Sequence, residues 1–167
     1  KVYVDALIQS GRETHERQAL IEMVERSDDR EKTIIMADRG YESYNVFEHI
    51  KQKGWNYLIR IKDINSSGIS SGLNLPHAEI FDEEINFLLT RRQTNEVKSN
   101  PKIYKFIASN QIFDYLLPED RGTYPMSFRI VRFPISEDTY EVLITNLKED
   151  EFSIEKFEIG YAPTSID

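Results

Sequence analysis

Asp38 is the residue whose position in this sequence most directly suggests chemistry. It follows the apolar run at residues 33–37 and precedes the turn-forming pair Arg39 and Gly40. A carboxylate there can cap a following helix, because aspartate accepts hydrogen bonds from the backbone N–H groups at helix starts. It can equally hold a divalent cation, because Mg²⁺ prefers oxygen ligands and functional groups gather at the carboxyl ends of parallel strands. Position alone leaves both roles open.

Four further side chains flank Asp38 or the end of the next apolar segment. Arg39 and Tyr41 could contact a bound ligand, or they could simply pack in a turn. Arg60 and Lys62 close the next segment, where exposed charges at strand ends are common. Asp63 follows and is the one other acidic candidate ligand at a neighbouring strand end.

The elements that would position these residues alternate between strand and helix. The predicted order is strand, helix, strand, helix, strand, over residues 1–10, 14–26, 33–37, 43–54 and 55–62. The continuous apolar run in the middle strand predicts burial on both faces. Thr14 is placed to cap the first helix. Ser43 is placed to cap the second helix and Gly54 to end it. This order predicts an α/β layer with a parallel sheet and right-handed crossovers.

The pattern changes after Lys62. Residues 63–75 are rich in serine, glycine and asparagine, which predicts a loop with poor order. The short apolar or alternating segments beyond it predict an antiparallel β region, with strands within residues 85–93, 102–109, 127–136 and 140–147. Ser153 is placed to cap a last helix.

The composition excludes several kinds of site. The 167 residues include no cysteine, which excludes disulfides and cysteine-based zinc sites and is compatible with the cytoplasm. No apolar run is long enough to cross a membrane. The net charge of −8 argues against a chain that coats nucleic acid, yet residues 1–62 hold eleven basic and eleven acidic side chains. A local DNA contact therefore remains compatible with that part.

Two blocks of the sequence match a known pattern in the same order. The block "DRGYES.NVFEHI..KG..YLIRIK" begins at Asp38, and the block "RFPISEDTYEVLITNL...EFSIEKFEIGY" ends at Tyr161. They resemble, respectively, the second-aspartate block and the downstream segment of DDE transposases of the insertion-sequence-4 type. Residues 2–26 also look like the stretch that precedes the second aspartate in that family.

The resemblance implies an RNase H-like core in which two aspartates and a glutamate hold two Mg²⁺ ions. One ion would activate the attacking water or 3′-hydroxyl, and the other would stabilise the leaving oxygen. Asp38 would be the second carboxylate of a parent enzyme that cleaves and joins DNA at transposon ends. That enzyme could be an oligomer. The residues that the resemblance makes candidates for contact with DNA are Arg39, Tyr41, Arg60 and Lys62. The implied division is a partial α/β core at residues 1–62, a β-rich insertion at 63–151 and the start of the C-terminal core helix at 152–167.

The sequence departs from the family pattern at the other two carboxylates. The first aspartate is expected on a strand upstream of residue 1, and Asp5 falls in a different segment of the pattern. The final glutamate follows a Tyr-x-x-Arg-Trp-x-x-Glu pattern, in which Tyr161 matches but Thr164 and Ser165 replace arginine and tryptophan. The glutamate itself would fall one position beyond Asp167. We therefore expect a transposase fragment that cannot cut or join DNA unaided.

Two other interpretations remain open from the sequence. A non-catalytic module that binds protein, or a decayed transposon remnant, fits the acidic surface and the incomplete set of carboxylates. An unrelated Mg²⁺-dependent nuclease or phosphatase would use Asp38 and would need a second acidic ligand, for which Asp63 is the candidate.

Overall fold

The computed structural model describes residues 15–156, which form one six-stranded mixed sheet with helices. The helices are α1 (Glu16–Arg26), α2 (Tyr44–Gln52) and α3 (Asn95–Ser99). The strands are β1 (Ile34–Ala37), β2 (Asn56–Arg60), β3 (Phe81–Thr90), β4 (Tyr104–Phe106), β5 (Thr123–Ser136) and β6 (Thr139–Thr145). Short 3₁₀ turns occupy Arg39–Tyr41 and Ile69–Gly72. The strand predicted at residues 1–10 lies outside the described residues.

The strands lie in the order β1-β2-β6-β5-β3-β4. The parallel pairing of β1 with β2 confirms the predicted parallel arrangement for these two strands. Antiparallel pairing joins β2 to β6, β6 to β5 and β5 to β3. The prediction of an antiparallel region is wrong for β4, which pairs parallel to β3 because α3 intervenes and returns the chain in the same direction.

The two long helices cover one face of the sheet through apolar residues at helical spacing. In α1, Ile21 and Val24 are buried, and in α2 the side chains of Val46, Phe47 and Ile50 are no more than 1% exposed. The N-cap position of α2 is Ser43, as predicted, but its side chain makes no capping hydrogen bond. Thr14, the predicted cap of α1, lies outside the described residues. After α2, Gly54 adopts a φ of 79°, a conformation that glycine reaches without steric cost.

The strand β1 is not buried on both faces, contrary to the prediction. Ile34 and Met36 are 46% and 71% exposed, whereas Ile35 and Ala37 pack against the core beneath the helices. The reason is position: β1 is the end strand of the sheet formed by residues 15–156, and the helices cover only one of its faces.

The core links early and late parts of the chain. Phe47 of α2 stacks on Tyr57 of β2, with ring centroids 5.1 Å apart, and meets Phe128 of β5 edge-on at 6.1 Å. On the opposite face of the sheet a smaller cluster contains Leu58, Val131, Phe133 and Leu143, with Phe152 and Ile154 packed against it. Residues 154–156 are helical, at the place where the last helix is predicted to begin.

The serine- and glycine-rich loop after β2 has defined contacts, contrary to the expectation of poor order. The buried Glu42 carboxylate accepts hydrogen bonds from the backbone N–H groups of Lys62 and Ile69. The buried Ser70 hydroxyl donates to the carbonyl of Lys62 at 2.8 Å. A Cβ at Gly68 would lie 2.7 Å from Glu42 Oε1, which explains why a glycine stands at the closest approach. Within residues 15–156, no helix has the length and apolar character needed to cross a membrane.

Candidate active site

Asp38 lies at the carboxyl end of β1, where it caps the 3₁₀ turn rather than α2. Its Oδ1 accepts a hydrogen bond from the backbone N–H of Arg39 at 2.7 Å. The side chain is 72% exposed, and the other oxygen, Oδ2, has no hydrogen-bond or ion-pair partner among the described residues. Capping and ligand binding are therefore compatible, because the cap uses one carboxylate oxygen and the exposed position leaves the other accessible.

Arg60, at the end of the neighbouring strand β2, forms a forked ion pair with Glu141 of β6. Its Nε donates to Oε1 at 2.9 Å and its Nη2 to Oε2 at 2.7 Å. The third nitrogen, Nη1, lies 3.9 Å from Asp38 Oδ1. The Glu141 side chain is fully buried, whereas that of Arg60 is 38% exposed. A buried carboxylate thus holds one edge of the guanidinium, and the opposite edge faces Asp38.

The remaining predicted DNA contacts divide into two groups. Arg39 joins the cluster, since its Nη2 lies 3.9 Å from Glu141 Oε1 and its side chain is 48% exposed. Tyr41 packs partly buried against the core under the helices. Lys62 extends along the loop and donates from Nζ to the carbonyl of Ser67 at 3.2 Å. The structure therefore brings Asp38, Arg39 and Arg60 together and places Tyr41 and Lys62 in other contacts.

Glu141 is the site residue that sequence reasoning missed. It lies on β6, and its pairing with β2 brings it near Arg60, 81 residues earlier in the chain. One signal was present: a glutamate within the apolar stretch "YEVLITNL" is unusual, because buried carboxylates are rarely found unpaired.

Asp63, the other candidate ligand, is paired with an arginine of β5. Arg132 donates to its two carboxylate oxygens at 2.9 and 3.1 Å. These hydrogen bonds hold the pKa of Asp63 below its usual range, against the opposing effect of burial. Among residues 15–156, no group of three acidic or histidine side chains is arranged to hold a metal ion. The interpretation as a self-sufficient Mg²⁺ site built on Asp38 and Asp63 has no support in this geometry.

Two other polar features of the sequence have structural roles. The Arg91 guanidinium donates to the carbonyls of Ala108, Gln111 and Leu116 and so holds the segment before β5. The Thr145 hydroxyl donates to the Tyr57 carbonyl at 2.6 Å. These contacts stabilise the sheet and its connections.

The depressed pKa of Asp63 predicts a loss of stability in acid. The pKa of Asp63 is lower in the folded state than in the unfolded state. Ionised Asp63 therefore contributes fully to the stability of the fold above about pH 4, and this contribution disappears as the pH falls through the folded-state pKa. We expect Asp63→Asn to lower the urea midpoint at neutral pH and to reduce the further loss of stability below about pH 4. The exposed Asp28→Asn serves as the control and should follow wild type. An unchanged acid slope in Asp63→Asn would contradict the assignment.

A family model described as a transposase DDE domain matches residues 1–161. The chain belongs to this family. No curated protein and no solved structure matches it. Membership of the transposase DDE domain family indicates a role in DNA transposition, with cleavage and transfer of DNA strands, and implies DNA binding by the parent enzyme.

Transposase DDE domains generally use divalent metal ions, and the described residues fit only part of such a site. Asp38 supplies an exposed carboxylate at the end of a parallel strand, which suits one ligand of a shared cation. Among residues 15–156, its ion-pair contact is with the Arg60 guanidinium, 3.9 Å away. Residues 15–156 by themselves therefore do not form a site for two ions.

Proposed function

We propose that this chain is part of the catalytic core of a DDE transposase of the insertion-sequence-4 type, in which Asp38 is the second metal-binding carboxylate. The observation that carries the proposal is the exposed Asp38 carboxylate at the end of β1, beside the end of the parallel strand β2. The two sequence blocks that resemble the family, one beginning at Asp38 and one ending at Tyr161, support it.

We propose an RNase H-like arrangement for the first part of the chain, residues 1–62, in which the unit β1-α2-β2 carries the carboxylate. Residues 63–151 would then be the β-rich insertion, and their strands extend the sheet from the far side of β2. Residues 152–167 would begin the C-terminal core helix, which is consistent with the helical residues 154–156.

DNA contact is proposed for the cationic side of this site. The Arg60 guanidinium lies beside Asp38, and the Arg39 guanidinium lies near Glu141, the partner of Arg60. A phosphate oxygen of a bound strand would be attracted to these two groups. Tyr41 and Lys62 remain proposed contacts that would require their present packing to change on binding. Since the described residues supply one exposed carboxylate at this site, the isolated chain is not expected to cleave DNA.

The test is a Mn²⁺ titration of the isolated chain by NMR. We expect weak binding that broadens the signals of the Asp38–Tyr41 turn, because a single exposed carboxylate is a poor site. The variant Asp38→Ala should abolish this broadening, and the exposed Asp28→Ala should retain it. Equal broadening in Asp38→Ala, or none in wild type, would refute the proposed ligand role.

A DNA-nicking assay with Mg²⁺ or Mn²⁺ tests the second part of the proposal. Wild type and Asp38→Ala should be equally inactive. Nicking by wild type that is lost in Asp38→Ala would show a self-sufficient catalytic site and would overturn the proposal that the chain needs further carboxylates.

A further inference from the structure

Glu141 is an unusual residue for its place in the fold. Its side chain is fully buried on β6, which lies between β2 and β5, and its register partner on β5 is Phe133. Burying a carboxylate costs free energy, and an ion pair formed in the interior often only offsets that cost. Replacing a buried ion pair by apolar residues of similar volume is often neutral or stabilising, so stability alone is a weak reason for the pair of Glu141 with Arg60.

The geometry of the pair fixes one arginine edge and presents the other. Glu141 accepts from Nε and Nη2 of Arg60, and this forked contact sets the plane and the rotation of the guanidinium. Nη1 then points toward Asp38, at 3.9 Å from Oδ1, beyond hydrogen-bond distance. The Arg60 guanidinium is therefore close to the Asp38 carboxylate, but Nη1 does not donate a hydrogen bond to Oδ1.

A second forked pair in the same sheet shows what a purely structural arrangement looks like. Arg129 of β5 binds Asp82 of β3 through Nε and Nη2, and it also donates from Nη1 to the carbonyl of Phe152. Its side chain is 7% exposed, compared with 38% for Arg60. Arg129 therefore directs its donors inward, whereas the partly exposed Arg60 has its outer edge at the surface beside Asp38.

We propose that Glu141 is a positioning residue, which holds Arg60 at the surface so that the arginine binds a phosphate oxygen of the DNA strand beside Asp38. This inference rests on the proposed function and deepens it by assigning the orientation of the phosphate-binding arginine to a buried carboxylate. Arg39, 3.9 Å from the same carboxylate, adds positive charge at the same place. A lysine at position 60 would keep the charge but would lose the planar fork that matches carboxylate and phosphate.

The experiment is a titration of the chain with a short DNA duplex at low salt, followed through the ¹⁵N-labelled arginine Nε–H signals. In wild type we expect DNA to shift the Arg60 signal. Glu141→Gln keeps the side-chain shape but removes the charge and one acceptor, and we expect roughly ten-fold weaker binding. Arg60→Lys should show a similar loss. Asp82→Asn, which weakens the structural pair, is the control and should bind DNA as wild type does.

Each contrary outcome counts against the proposal. Wild-type affinity in a folded Glu141→Gln or Arg60→Lys variant would overturn it, and so would an Arg60 signal that DNA does not shift in wild type. An equal loss of DNA affinity in Asp82→Asn would show that the Glu141→Gln variant weakens binding only by destabilising the fold.

The Mn²⁺ titration separates this inference from the proposed function. Failure of Asp38 to bind Mn²⁺, together with a selective loss of DNA binding in Glu141→Gln, would refute the metal-ligand role and retain the positioning role. Binding of Mn²⁺ at Asp38, together with wild-type DNA affinity in Glu141→Gln, would retain the metal-ligand role and refute the positioning role.

Discussion

Replacing Arg60 by leucine is expected to lower the free energy of unfolding by about 3–5 kcal/mol, because it leaves a buried carboxylate without its forked partner. Glu141 is 0% exposed and accepts two hydrogen bonds from Arg60. Arg39 cannot replace these bonds without moving, since its nearest nitrogen is 3.9 Å from Glu141 Oε1.

Urea denaturation of the single and double variants provides the measurement. Arg60→Leu combined with Glu141→Leu should recover most of the lost stability, because an apolar pair of similar size removes the uncompensated charge. The control Arg39→Leu should cost less than about 1 kcal/mol, as expected for a largely exposed ion pair. A loss below about 1 kcal/mol in Arg60→Leu, or a double variant no more stable than the single one, would show that Glu141 is not an uncompensated buried charge.

The location of Asp38 could be predicted from the sequence, whereas its neighbours could only partly be predicted. The strand-helix-strand pattern of residues 33–62 brings the carboxyl ends of β1 and β2 together, so Asp38 and Arg60 were expected on the same edge of the sheet. Glu141 comes from β6, and hydrophobic periodicity reveals which face a side chain occupies but not which distant strand lies alongside. The antiparallel pairing of β6 with β2 is the fact that completes the cluster.

The errors in the fold prediction have the same physical origin. An apolar run such as residues 33–37 predicts burial only if both faces of the strand are covered, and coverage depends on sheet position, which local sequence does not encode. Likewise, the composition of residues 63–75 predicts a loop, but its contacts depend on Glu42, a buried carboxylate that precedes α2. In both cases the deciding interaction is non-local.

Phe47→Ala is expected to lower the free energy of unfolding by about 3–5 kcal/mol, because Phe47 is 1% exposed and its loss leaves a cavity at the centre of the core. Its ring packs on Tyr57 and Phe128. Since Tyr57 belongs to residues 1–62 and Phe128 to residues 63–151, the cavity should weaken both parts of the chain together. Trp55 fluorescence reports the first part during urea unfolding.

Hydrogen exchange at the buried Leu89 of β3 reports the second part of the chain, and the two probes decide whether the sheet unfolds as one unit. We expect Phe47→Ala to lower the unfolding free energy from Trp55 fluorescence and that from Leu89 exchange by the same amount, because β6 joins β2 to the strands of the proposed insertion. Ile103→Ala is the control: this side chain is 50% exposed, so its loss should change neither probe by more than about 0.5 kcal/mol. Protection of Leu89 that survives the loss of Phe47 would instead show that the β-rich region folds independently. The proposed insertion, residues 63–151, would then be a separate folding unit and not an extension of the sheet that carries Asp38.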